Sequence, residues 1–136
     1  MTVYEDLIVR NSEDISDFRR GHIKEPEVRQ TTVRFKADRG MRRNVITRDV
    51  FKQLGLRKKG EQTFMLDDGQ RARMDVSSQM ELIWRDRRIE LDAAIAPEGA
   101  SNLLSITAME LLDIMPDPSK GCLVGIHGDE YLNELE

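Results

Sequence analysis

The apolar residues of this chain come in short runs, and a turn signal cuts almost every one of them. Such punctuation allows strands of a few residues and helices of about two turns, so the sequence describes many short strands with two short helices. Val3 to Arg10 alternates in part and reads as a strand. Asn11 to Gly21 is polar and charged, and fits a loop or a brief helix equally. Val28 to Ala37 holds Gln30-Thr31-Thr32-Val33-Arg34-Phe35, rich in β-branched types, and reads as a strand that runs into the turn signal Asp38-Arg39-Gly40.

Val45-Ile46 is a short apolar piece. Thr47 follows as a helix cap, because its hydroxyl accepts a bond from a free backbone N–H. Val50, Phe51 and Leu54 then share one helical face, and Gly55 stands where a C-terminal cap belongs. Phe64-Met65-Leu66 and the segment from Arg71 flank Asp67-Asp68-Gly69-Gln70, whose Asp-Gly pair tolerates the positive φ of a tight hairpin turn. Met80–Trp84 and Ile89–Ala93 are strands separated by a turn at Asp86-Arg87, and Pro97 to Ser101 is a loop. Leu103-Leu104 is a short buried strand. Thr107 and Glu110 form a capping box for a helix that continues through Met115 until Pro116 and Pro118 stop it. Cys122 to His127 is the final strand, and an acidic tail follows. A weak internal repeat sets Ile46-Thr47 and its helix against Ile106-Thr107 and its helix, 60 residues apart.

The 136 residues suit one domain. With 39% hydrophobic and 34% charged residues the chain reads as soluble and globular, and its net charge of -4 argues against a general nucleic-acid binder. Cys122 is the only cysteine, which excludes an internal disulfide and a cysteine-rich metal site. His22 and His127 lie far apart without metal-ligand spacing, so no metal is expected. The first residues lack the pattern of a signal peptide, and no stretch approaches the roughly 18 apolar residues of a membrane span. The expected location is the cytoplasm, with no membrane partner.

Single features taken alone read blandly. Arg39-Gly40-Met41-Arg42-Arg43 is a solvated charged loop before it is an anion patch. Asp67-Asp68-Gly69 lacks the further acidic ligands of a calcium loop. Cys122 reads as a small buried hydrophobe, Trp84 as a packing residue, and His127 as an ordinary polar residue at a strand end.

Taken in order, the motifs carry more. Ala37-Asp38-Arg39-Gly40-Met41, Val45-Ile46-Thr47, Leu54-Gly55-Leu56, Leu66-Asp67-Asp68-Gly69 and Leu103-Leu104-Ser105 followed by a helix resemble the order and distances of the retropepsin-like aspartic proteases, in a bacterial single-domain branch. The resemblance covers about residues 31–127, with residues 1–30 as an N-terminal extension and 128–136 as a tail. It implies an all-β, barrel-like acid-protease fold with one or two short helices, acting as a homodimer on a peptide or protein without a cofactor. By resemblance each chain supplies one Asp38 to a pair that shares a proton, one carboxyl acting as base on water and the other as acid. Gly40 then allows a close backbone approach, and Asp67, Asp68 and Gly69 form the tip of a flap.

The chain departs from the family's Asp-Thr-Gly-Ala at two places. Arg39 stands where a hydroxyl residue bonds across the dimer, and Met41 stands for Ala. Ser105 replaces the Gly of Leu-Leu-Gly. Two Arg39 side chains near two Asp38 carboxyls favour the fully ionised pair, which has no proton to give. The expectation is therefore an impaired or inactive protease homologue. The alternatives are a non-catalytic peptide-binding or scaffold dimer of the same fold, and an unrelated β-barrel interaction module.

Overall fold

The β-branched and alternating segments do form strands. The computed structural model describes residues 2–97 and 99–130. Strand β1 (Tyr4–Asn11) leads into helix α1 (Ser12–Arg19), and a 3₁₀ turn at Glu25–Glu27 precedes β2 (Gln30–Asp38). Then come β3 (Asn44–Thr47), α2 (Arg48–Gln53), β4 (Lys58–Met65), β5 (Arg71–Ser77), β6 (Met80–Trp84), β7 (Arg87–Leu91) and β8 (Ala93–Ala96). The described chain closes with β9 (Asn102–Ser105), α3 (Ile106–Leu112), β10 (Ile114–Asp117) and β11 (Cys122–Gly125). No helix among the described residues is long and apolar enough to cross a membrane.

The segment after Asn11, left open between loop and helix, is a helix. Asn11 caps it, its side-chain oxygen accepting from the Asp14 N–H at 3.1 Å. The same amide donates to the Leu54 carbonyl at 2.8 Å, so one buried side chain starts α1 and ties it to the end of α2.

Nine strands make one mixed sheet in the order β4-β5-β8-β3-β9-β2-β1-β6-β7, while β10 and β11 pair separately. Most neighbours are antiparallel, but β2 runs parallel to β9 and β3 parallel to β8. These two parallel pairs are copies of each other. Phe35 faces Asn102 and Asp38 faces Ser105; 58 residues along, Ala93 faces Asn44 and Ala96 faces Thr47. At the centre β3 and β9 meet antiparallel at Val45 and Leu103.

The repeat thus exists with an offset of 58 rather than 60, because the second helix starts earlier than its sequence suggests. Ser105, not Thr107, is the N-cap of α3, its hydroxyl accepting from the Ala108 N–H at 3.0 Å. Thr107 instead donates to the Arg42 carbonyl at 2.8 Å. Thr47 caps α2 in the equivalent place, as expected. Two asparagines complete the symmetry by crossing over. The Asn102 side chain accepts from the Thr47 N–H, and the Asn44 side chain accepts from the Ser105 N–H, both at 2.9 Å. Each half therefore supplies the bond that holds the other half's helix start.

Helix α3 ends at Leu112, before the prolines, because Asp113 takes the left-handed conformation at φ 56°. Met115 and Pro116 consequently lie in β10 rather than in the helix. Buried Arg87 binds this end of the molecule together. Its guanidinium donates to the Leu112 and Asp113 carbonyls at 3.1 and 2.8 Å and to the Gly128 carbonyl at 2.9 Å. It also stacks 5.1 Å from the buried Trp84 ring. The main core gathers Leu7, Val33, Phe35, Ile46, Leu82 and Leu104 from strands that cross the sheet centre.

Candidate functional site

Asp38 is the last residue of β2, half-buried, where the strand gives way to a tight loop. Its carboxylate accepts from the Gly40 N–H at 2.9 Å, and its carbonyl accepts from the Met41 N–H at 3.2 Å. This is the local geometry that an Asp two residues before a Gly favours. A Cβ on Gly40 would stand 3.3 Å from the Asp38 carboxylate oxygen, so glycine keeps the loop close without crowding it. The loop is fixed to the second half of the molecule, since the Met41 carbonyl accepts from the Ile106 N–H at 2.8 Å.

Asp38 opens on a cavity of about 560 Å³ whose walls include Val3, Lys36, Arg39, Met115 and Pro116. Arg39 is exposed, and no ion pair joins it to Asp38 among the described residues. Arg43 is engaged elsewhere, with Asp92 at 3.0 Å and with the Gln62 side chain. Arg39 and Arg42 of this loop take part in no ion pair among the described residues, and of the two it is Arg39 that lines the Asp38 cavity, with Lys36 of β2.

The Asp67-Asp68-Gly69 segment forms the expected tight turn between β4 and β5. Gly69 has φ 82°, its N–H donates to the Leu66 carbonyl at 2.9 Å, and the Asp68 carboxylate accepts from the Gln70 N–H at 2.9 Å. Three strands separate this hairpin from β2 in the sheet, and the cavity at Asp38 includes none of the turn residues. What the two regions share is a footing. Met41 from the loop and Phe64 and Met74 from the hairpin all pack on a small cluster of Val45, Ala94 and Ala96.

No protein-family model matches the chain, and no curated protein matches it. A solved structure does. It is the EIAV protease complexed with the inhibitor HBY-793, to which the chain is similar at a TM-score of 0.51 and 16% identity, over 59% of this chain and 76% of that one. The all-β, retropepsin-like acid-protease fold expected from the ordered motifs is thereby shown. At this identity the likeness speaks for the fold alone.

Sequence reading missed the reciprocal pair Asn44 and Asn102 and the cap Ser105. Both asparagines stand three residues before a hydroxyl helix cap, in Asn-Val-Ile-Thr and Asn-Leu-Leu-Ser, and that shared pattern was the available signal. His127 is more than a strand-end residue, since its Nδ1 lies 2.7 Å from the Asp113 carboxylate. Trp84 is buried as expected, whereas Cys122 is only half-buried. Among the described residues no three His, Cys, Asp or Glu side chains converge as metal ligands would.

Proposed function

We propose that two copies of this chain associate around Asp38 and form an aspartic-protease-type cleft that binds an extended peptide and cleaves it poorly or not at all. The observation that carries this reading is the place of Asp38. It is a half-buried carboxylate on a tight Asp-Arg-Gly loop, open to a cavity, and each chain supplies one. Acid–base hydrolysis by carboxylates needs two of them sharing a proton. A second chain is the source of the other.

In such a dimer, one Asp38 would draw a proton from water as the other protonated the peptide carbonyl. Arg39 beside each carboxylate opposes this, because it stands where the resembled family places a hydroxyl that bonds across the dimer, and a guanidinium has no acceptor to offer. Binding does not depend on that proton. Strand β4 is an edge of the large sheet and exposes most of its residues, so an extended peptide has backbone partners to bond.

The test is a peptide-library cleavage assay on purified protein from pH 3 to 8, run beside a binding assay with a peptide-like aspartic-protease inhibitor. Binding with little or no turnover is the expected result. Brisk turnover that disappears in Asp38→Asn would overturn the impairment. A residual Asp38-dependent turnover separates the impaired enzyme from the second reading, a non-catalytic peptide-binding or scaffold dimer.

A further inference from the structure

Beside the Asp38 cavity a second, smaller groove of about 200 Å³ runs between α3 and the β10–β11 hairpin. Ile106, Met109, Met115 and Ile126 line it, with Met115 38% and Ile126 47% exposed. The two hollows adjoin, since Arg39, Met115 and Pro116 line both. The groove carries two opposite charges, Arg39 and Glu110, both exposed, and neither takes part in an ion pair among the described residues.

An apolar trough with one unmatched cation and one unmatched anion is self-complementary. In a two-fold contact residue i meets j of the partner and j meets i, so each charge finds one opposite and the pair forms twice. Two arginines brought face to face beside a symmetry axis would repel, and the contact is favourable only if each meets a carboxylate. We propose that this groove is the face on which the second copy sits, and that Arg39 of each chain pairs with Glu110 of the other. The inference rests on the dimer about Asp38 and names the contact that holds it. The guanidinium then takes over the cross-dimer link for which the family uses a hydroxyl.

Charge exchange tests it. Dimer dissociation is measured by sedimentation velocity for the parent chain, Arg39→Glu, Glu110→Arg and the double variant, with circular dichroism confirming that each is folded. Milder Arg39→Gln and Glu110→Gln variants serve if a reversal misfolds. Each single reversal should weaken the dimer by about tenfold or more, and the double reversal should return it to within about threefold of the parent. Single reversals that change dissociation by less than about threefold, or a double variant no tighter than the singles, would overturn the pairing. The dimer about Asp38 is read separately, by oxidative cross-linking of Asp38→Cys in a Cys122→Ser background. Cross-linking with an inert charge exchange overturns the pairing and leaves the dimer standing. A monomer that never cross-links overturns both.

Discussion

Asn44 is buried, and its side chain accepts from the Ser105 N–H at 2.9 Å, across 61 residues of chain. Replacing it by alanine removes that buried bond, which costs roughly 0.5–1.5 kcal/mol. Asn102→Ala removes the matching bond to Thr47 at a less buried position and should cost less. Urea unfolding of both variants checks the order. Gly55 is constrained from two sides. Its φ is 60°, and a Cβ there would overlap the Arg29 guanidinium at 1.8 Å. Gly55→Ala should lower stability by about 1 kcal/mol or more, read from the same unfolding curves. Arg29 is held in that place by Asp14, to which it donates from Nε and from the other guanidinium nitrogen at 2.8 and 2.9 Å. Those bonds keep the Asp14 carboxyl below its ordinary range. Because the folded carboxyl is the stronger acid, the stabilisation is in place above the unfolded value of about 3.9 and drains away as pH falls through the lower folded value. A melting-temperature series from pH 6 to 2 should fall less steeply in Asp14→Asn than in the parent.

Elements differ in how openly the sequence states them. Helix α2 was legible from end to end, because a Thr cap, an apolar face and a glycine stop agree. Helix α3 was legible in existence but not in its limits. Thr107 and Glu110 imitate a capping box, while the working cap, Ser105, reads in sequence only as a departure from the glycine of the resembled family. Its end was hidden too, since a left-handed Asp113 leaves no mark in sequence as clear as glycine does. The β4–β5 turn announced itself through Asp68-Gly69. The parallel pairing of β2 with β9 did not, for register between strands more than 60 residues apart depends on tertiary contacts rather than on local preference. Arg87 shows the same limit. The sequence marks it as a turn residue, yet it is buried and clamps the end of α3 to Gly128. Arg87→Met should release that junction, and amide hydrogen exchange at residues 112–114 and 125–128 should quicken well before exchange in β1 and β2 does.

At the scale of the molecule, the motif order pointed to the fold that the structure shows. The surroundings of Asp38, the candidate site, were legible as a position in the chain but not as an arrangement in space. Sequence places Arg39 near the Asp38 carboxyl; in the chain Arg39 is exposed, forms no ion pair with Asp38 among the described residues, and lines two hollows at once. Each chain brings a single Asp38 to the proposed cleft, so any hydrolysis must depend on assembly. Turnover per chain, if present, should fall with dilution through the dimer dissociation constant, and a kinetic series over enzyme concentration measures it.

The crossed asparagines have a further consequence for how the chain becomes whole. Because the amide at the start of each short helix bonds a side chain from the opposite half, a backbone cut between α2 and Asn102 parts both amides from those side chains. Severed fragments should stay largely unstructured apart and regain order only on mixing, so the duplicated halves behave as one inseparable folding unit.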